Sequence, residues 1–140
     1  VQRLYDFLVA YENLLRDGQQ PVSRAVSLGD TPVSADGTAD TVWCFVKADA
    51  SAEIYHFLNL MGTDNGWRDE KQLKKAPALQ QNVKTRVYTD YPVQAVYLAS
   101  PDGADIAPVS LPFAAGRDGE GAYIEFVQPS LAYWNMVFLR

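Results

Sequence analysis

Apolar side chains at Leu4, Leu8, Tyr11 and Leu15 recur every three or four positions, and Phe7 and Leu14 widen the stripe. Positions three and four apart share a helical face, so the spacing predicts an amphipathic helix over residues 2–17. Gly18 stands where a left-handed C-terminal cap belongs, and Pro21 prevents the helix from resuming. Beyond it the period shortens to two. Residues 42–47 and 53–60 are β-rich runs joined by Ala48-Asp49-Ala50-Ser51, which reads as a hairpin connection. Residues 83–89 alternate apolar and polar side chains, Tyr91-Pro92 breaks them, and residues 94–99 form a further strand ending in the turn Ser100-Pro101-Asp102-Gly103. A short candidate strand at 25–28 precedes a loop over 29–41, and residues 106–112 read as a proline-flanked edge. Residues 116–121 read as a glycine-rich turn, and strands at 122–127 and 134–139 close the chain.

One helix and about seven or eight short strands separated by turn signals predict a mainly β fold. The expected form is an antiparallel β-sandwich with one N-terminal amphipathic helix. No second helix lies between strands to supply the crossovers of a parallel sheet. The wide apolar face of the helix must pack on the sandwich, on another copy or on a further domain. Composition agrees with one globular domain: 140 residues, 48% hydrophobic and 21% charged.

Charge excludes one class of partner. Twelve basic residues against 17 acidic ones leave a net charge of -5, which argues against binding nucleic acid. Cys44 is the only cysteine, so no internal disulfide forms, and within Val-Trp-Cys-Phe-Val it reads as a small buried hydrophobe. No apolar run approaches the ~18 residues of a membrane span. The chain opens Val-Gln-Arg without a signal peptide and directly in a helical pattern, as expected of a piece of a longer protein.

Catalytic chemistry is sparse. His56, the only histidine, lies within a predicted strand beside Tyr55 and Phe57, where a hydrogen-bonded core or edge role is expected. No nucleophile elbow accompanies it, and one histidine with one cysteine does not make a zinc site. Carboxylates cluster in loops at Asp64, Asp69 and Glu70, at Asp102 and Asp105, and at Asp118 and Glu120. Asp beside Gly is first a turn former, and two opposed carboxylates across a sugar cleft require a geometry that sequence proximity does not supply. No catalytic residue, metal ligand or cofactor is therefore assigned. Trp67, with Arg68 and Asp69, stands in a polar loop. Two readings are open: a ring that anchors the loop to the sheet, or a carbohydrate-binding platform of Trp67 and Arg68 with Tyr88 and Tyr91.

Four segments in order resemble one known family: LYDFLVAYENLLRDG at 4–18, FLNLMGTDNGWRD at 57–69, VYLASPDG at 96–103 and PSLAYWNMVFL at 129–139. Together they resemble the C-terminal region of glycoside hydrolase family 66, which contains dextranases and cycloisomaltooligosaccharide glucanotransferases. The resemblance implies a parent that cleaves α-1,6-glucosidic bonds with retention. Its Asp nucleophile and Glu acid/base would lie in an upstream (β/α)8 barrel whose motifs this chain lacks. Residues 1–20 would then be a helix from the barrel end or junction, and residues 21–140 the C-terminal β-sandwich. Its partner would be the barrel of the same parent chain, with α-glucan as a further partner, and the parent would be secreted, periplasmic or on the cell surface. The chain itself is expected to be a non-catalytic accessory domain that stabilises the barrel, or alternatively an α-glucan-binding module.

Overall fold

The computed structural model describes residues 2–15, 19–50, 52–64, 76–102 and 105–140. Helix α1 (Gln2–Ala10) leads through Tyr11 into α2 (Glu12–Leu15). The strands are β1 (Gln20–Val22), β2 (Val26–Ser27), β3 (Val33–Ser34), β4 (Val42–Ala48) and β5 (Glu53–Asn59). They continue as β6 (Gln80–Tyr88), β7 (Val96–Ala99), β8 (Val109–Leu111), β9 (Ala114–Asp118), β10 (Gly121–Leu131) and β11 (Trp134–Leu139).

Among the described residues the strands form two sheets. The larger has seven strands, in the order β1-β4-β5-β11-β7-β8 with β3 also on β4, and the smaller has four, in the order β2-β6-β10-β9. Every pairing is antiparallel except β3 on β4, where Val33 lies opposite Val42. Strands β1 and β3 share one edge of β4, since Pro21 lies opposite Lys47 farther along the same strand.

Alternation along the strands decides what each face meets. On β5, Tyr55 and Phe57 point between the sheets, while Ile54 and His56 point to the other side. On β11, Val137 and Leu139 join the inter-sheet core and Met136 and Phe138 face outward. The inter-sheet core is completed by Val42, Cys44 and Val46 from β4, with Val83, Val87, Ile124 and Phe126 from the smaller sheet. The outward side of β5 and β11 is covered by Phe7, Tyr11 and Leu14 of the helical segment. The middle of the seven-stranded sheet, at β5 and β11, is thus buried on both faces. That is why β5 and β11 read as nearly continuous apolar runs rather than as clean alternations.

The expected antiparallel sandwich with its N-terminal helix is present. The helix divides at Tyr11, whose N–H bonds the Phe7 carbonyl at 3.1 Å and whose carbonyl accepts from Leu15 at 3.1 Å. The Tyr11 hydroxyl donates to the Ile106 carbonyl at 2.6 Å, so the ring threads from the helix to the loop before β8. Residues 116–121, expected as a turn, instead contain the end of β9, and only Gly119 and Glu120 make the turn. The short strand expected at 25–28 is present as β2, and beyond the seven or eight strands expected the two- and three-residue pairings β3 and β1 appear, too short to show a period. Gly18 and the segment Trp67-Arg68-Asp69 lie outside the described residues.

Candidate functional site

The loop carboxylates within the described residues are taken up locally. Asp102 accepts from the N–H groups of Tyr133 and Trp134 at 3.0 and 2.7 Å, bracing the loop after β7 against the start of β11. Asp105 accepts from the Ala107 N–H at 3.0 Å and Asp40 from the Gly62 N–H at 2.8 Å. The Asp105 bond closes a turn, while those of Asp40 and Asp102 tie their loops to backbone of distant segments. Among the described residues no three or more His, Cys, Asp and Glu side chains gather as a metal site would require. No helix among them is long and apolar enough to cross a membrane.

Among the described buried polar side chains, Glu53 and His56 are the ionisable ones. Glu53 is only 6% exposed and receives a bidentate pair of bonds from Arg24, both at 2.9 Å, and a third from the Tyr55 hydroxyl at 2.6 Å. Asp90 also approaches Arg24, at 3.3 Å. Tyr91 lies beside this group, 5.7 Å from the guanidinium, with its hydroxyl shielded from solvent. Burial, then the neighbouring Glu53 charge, pushes the Tyr91 hydroxyl pKa above its ordinary value.

The second inward group is His56, the middle of an aromatic row on the helix-side face of the larger sheet. Phe45 stacks on it at 4.7 Å, Trp134 at 5.8 Å, and Phe7 meets Trp134 edge-on at 5.0 Å. The Trp134 indole N–H donates to His56 Nδ1 at 3.2 Å, which requires that nitrogen to be unprotonated. Burial, helped by Lys47, lowers the His56 pKa to about 4. A neutral imidazole serving as a hydrogen-bond acceptor matches the core role expected for it.

Tyr88 takes a different course from Tyr91. It stands on the outer face of the four-stranded sheet, where β10 brings Tyr123 opposite Tyr88 and Glu125 opposite Arg86. On the far side β9 contributes Gly116 opposite Tyr123 and Asp118 opposite Gly121. Arg86 bonds Asp118 at 2.9 Å and Glu125 at 3.0 Å, and its guanidinium lies 3.8 Å over the Tyr123 ring. The Tyr88 hydroxyl donates to Asp118 at 2.7 Å, and the two tyrosine rings meet at a steep angle, 5.8 Å apart. The Tyr88 bond, followed by the Glu120 N–H and Arg86, holds the Asp118 carboxyl below its usual range despite some desolvation.

Of the four residues expected to contact carbohydrate, Trp67 and Arg68 lie outside the described residues, Tyr91 turns toward Arg24, and Tyr88 joins an exposed polar-aromatic cluster. Arg86, Tyr123 and Glu125 were not singled out by sequence, and Asp118 was read only as one of a pair of loop carboxylates. The available signal was parity, since Arg86 and Tyr88 share one face of β6 while Tyr123 and Glu125 share one face of β10. Only the register brings the two pairs together.

The sequence model of glycosyl hydrolase family 66 matches residues 1–138. A cycloisomaltooligosaccharide glucanotransferase of Niallia circulans is 38% identical over 142 residues, which cover 97% of this chain and 14% of that protein. A dextranase of Streptococcus salivarius is 28% identical over all of this chain and 20% of its own length. The crystal structure of a Paenibacillus sp. cycloisomaltooligosaccharide glucanotransferase complexed with cycloisomaltoheptaose superposes with a TM-score of 0.89 at 40% identity. That match covers 97% of this chain and 20% of the other. An α-L-fucosidase isoenzyme 2 from Paenibacillus thiaminolyticus shares the fold, with a TM-score of 0.52 at 20% identity, over 95% of this chain and 17% of that one. A chain that spans 14–20% of these relatives, with the family signature along almost its whole length, belongs to glycosyl hydrolase family 66 and corresponds to one part of those larger proteins.

Proposed function

We propose that this chain is a non-catalytic accessory domain of a dextranase-like enzyme acting on α-1,6-linked glucan, and that it stabilises the enzyme's catalytic barrel. The observation that carries this reading is the outer stripe of α1. Leu4, Tyr5, Leu8 and Val9 are 46%, 63%, 43% and 52% exposed although Phe7 and Tyr11 already bury the opposite side on the sheet. Leu4 with Leu8 and Tyr5 with Val9 are spaced four apart, so they form two adjoining rows. Covering such rows contributes roughly 25 cal/mol for each Å² of apolar area removed from water, and a barrel of the parent chain is the partner that accounts for them. Residues 1–20 would then mark the junction, apolar toward both neighbours. The local use of Asp40, Asp102 and Asp105 supports a domain without its own catalytic pair. A parent working on dextran would operate outside the cytoplasm.

In the parent enzyme, Tyr5→Asp combined with Leu8→Asp should lower the melting temperature of the catalytic part, while the same pair in this chain alone should leave its melt nearly unchanged. An unaltered parent melt would remove the reading. The isolated chain incubated with dextran should release no reducing ends above a blank.

A further inference from the structure

We propose that the outer face of the four-stranded sheet, at Arg86, Tyr88, Asp118, Tyr123 and Glu125, is a binding surface for an α-linked glucan chain. The choice of glucan rests on the reading of the parent given above. The geometry rests on nothing but the sheet.

Three strands contribute side chains of the same parity to one face, so the cluster is fixed by register rather than by a loop. Arg86 is held on two carboxylates and over one ring, and Tyr88 is held through its hydroxyl on Asp118. Such groups lose little rotamer freedom on binding, which is the requirement for a weak polyol ligand to be held at all. Gly116 is part of this preorganisation. A Cβ there would lie 2.5 Å from the Tyr123 hydroxyl oxygen, so only glycine lets the ring lie down across β9.

Charge narrows the ligand. One guanidinium is matched by two carboxylates, which repels phosphates and other polyanions and leaves a neutral, hydroxyl-rich molecule as the fitting class. The cluster also keeps unused capacity. Glu125 takes both Arg86 bonds on Oε2, and among the described residues neither its Oε1 nor the Tyr123 hydroxyl makes a hydrogen bond. A pyranose ring offers a C–H face for the Tyr88 ring and neighbouring hydroxyls that donate to Glu125 Oε1 and exchange bonds with the Tyr123 hydroxyl.

The face is long enough for more than one sugar. Beside the cluster runs an open groove of about 390 Å³ lined by Lys84, Pro112, Phe113, Ala114, Glu125 and Val127. Glu125 belongs to both, so the polar cluster and the apolar groove form one track. Val127, 46% exposed in mid-strand, adds an apolar shelf of the kind that a sugar C–H face covers.

Affinity electrophoresis of the 140-residue chain in gels containing dextran tests the assignment, with the melting temperature of each variant measured alongside. The unsubstituted chain should be retarded by dextran. Tyr88→Ala should weaken the affinity about tenfold, near 1.4 kcal/mol, while the variant stays folded because the ring is only partly buried. Gly116→Ala removes no polar group but displaces Tyr123, and it should weaken binding by a similar factor. Unretarded migration of the unsubstituted chain would overturn the proposal. So would undiminished retardation of both folded variants, or equal retardation by a β-1,4-glucan. The α1 stripe variants should be retarded by dextran as much as the unsubstituted chain, so failure of the accessory-domain reading and failure of this one are read from different proteins and different assays.

Discussion

The Trp134 indole N–H can donate to His56 only while the imidazole is neutral, and this gives the residue a measurable signature. Its pKa of about 4 in the folded state lies below the ordinary 6.5, so the unfolded chain binds more protons between those values. Stability therefore rises with pH across that interval, is complete above about pH 6.5, and falls as the solution is acidified toward pH 4. The full difference is on the order of 3 kcal/mol. Because His56 is the only histidine, an NMR titration of its ring protons reads it directly, and an inflection near 6.5 in the native protein would contradict the buried, neutral assignment. Cys44 is the parallel case among thiols. Burial pushes its pKa up to about 12, so the native protein should resist iodoacetamide at pH 8 and react only on unfolding, as mass spectrometry would show. Both burials were legible in sequence, since each residue sits inside a β-rich apolar run. What sequence did not give was the partner, because Trp134 lies 78 positions from His56 and meets it only through the β5–β11 pairing.

At the level of elements, the segment from β1 to β2 passes from one sheet to the other, and Arg24 ties it to the first residue of β5. Glu53 is too buried to be rehydrated when that tie is cut. Arg24→Met should cost about 3–5 kcal/mol in urea denaturation, because it leaves an uncompensated buried carboxylate. Glu53→Gln in the same background should recover part of the loss by removing the charge. Elements with a sustained period were readable: β4, β5, β6, β10 and β11 fall where alternation or apolar runs placed them. The strand at β9 was not, because Gly116 and Asp118 resemble turn residues until Tyr123 is seen to need the space over Gly116. Tyr88 was legible as an exposed candidate, but its companions depend on the offset of β10 against β6, which no local pattern encodes.

For the molecule as a whole, the two sheets are joined by more than apolar contact. Asn135 on β11 donates to Gln128 on β10 at 2.9 Å, and Gln128 donates on to Thr85 on β6 at 3.1 Å, all within the buried interior. This chain of amides and a hydroxyl fixes how one sheet sits over the other, since a slip of either strand would strand a polar group in the core. Asn135→Val should lower stability by about 1–3 kcal/mol, because Gln128 loses the donor to its oxygen. Replacing Gln128 by Leu as well should restore much of the difference in a double-mutant cycle. A strictly additive pair of losses would show that the amides act independently.

The outermost strands carry a consequence for how such a domain behaves beside many copies of itself. In the seven-stranded sheet β1 has three residues and includes Pro21, β3 has two, and β8 has three, set between Pro108 and Pro112. None offers a long, flat row of free backbone groups on which a neighbour's strand could template. A sheet whose rims are this short and proline-marked resists edge-to-edge pairing.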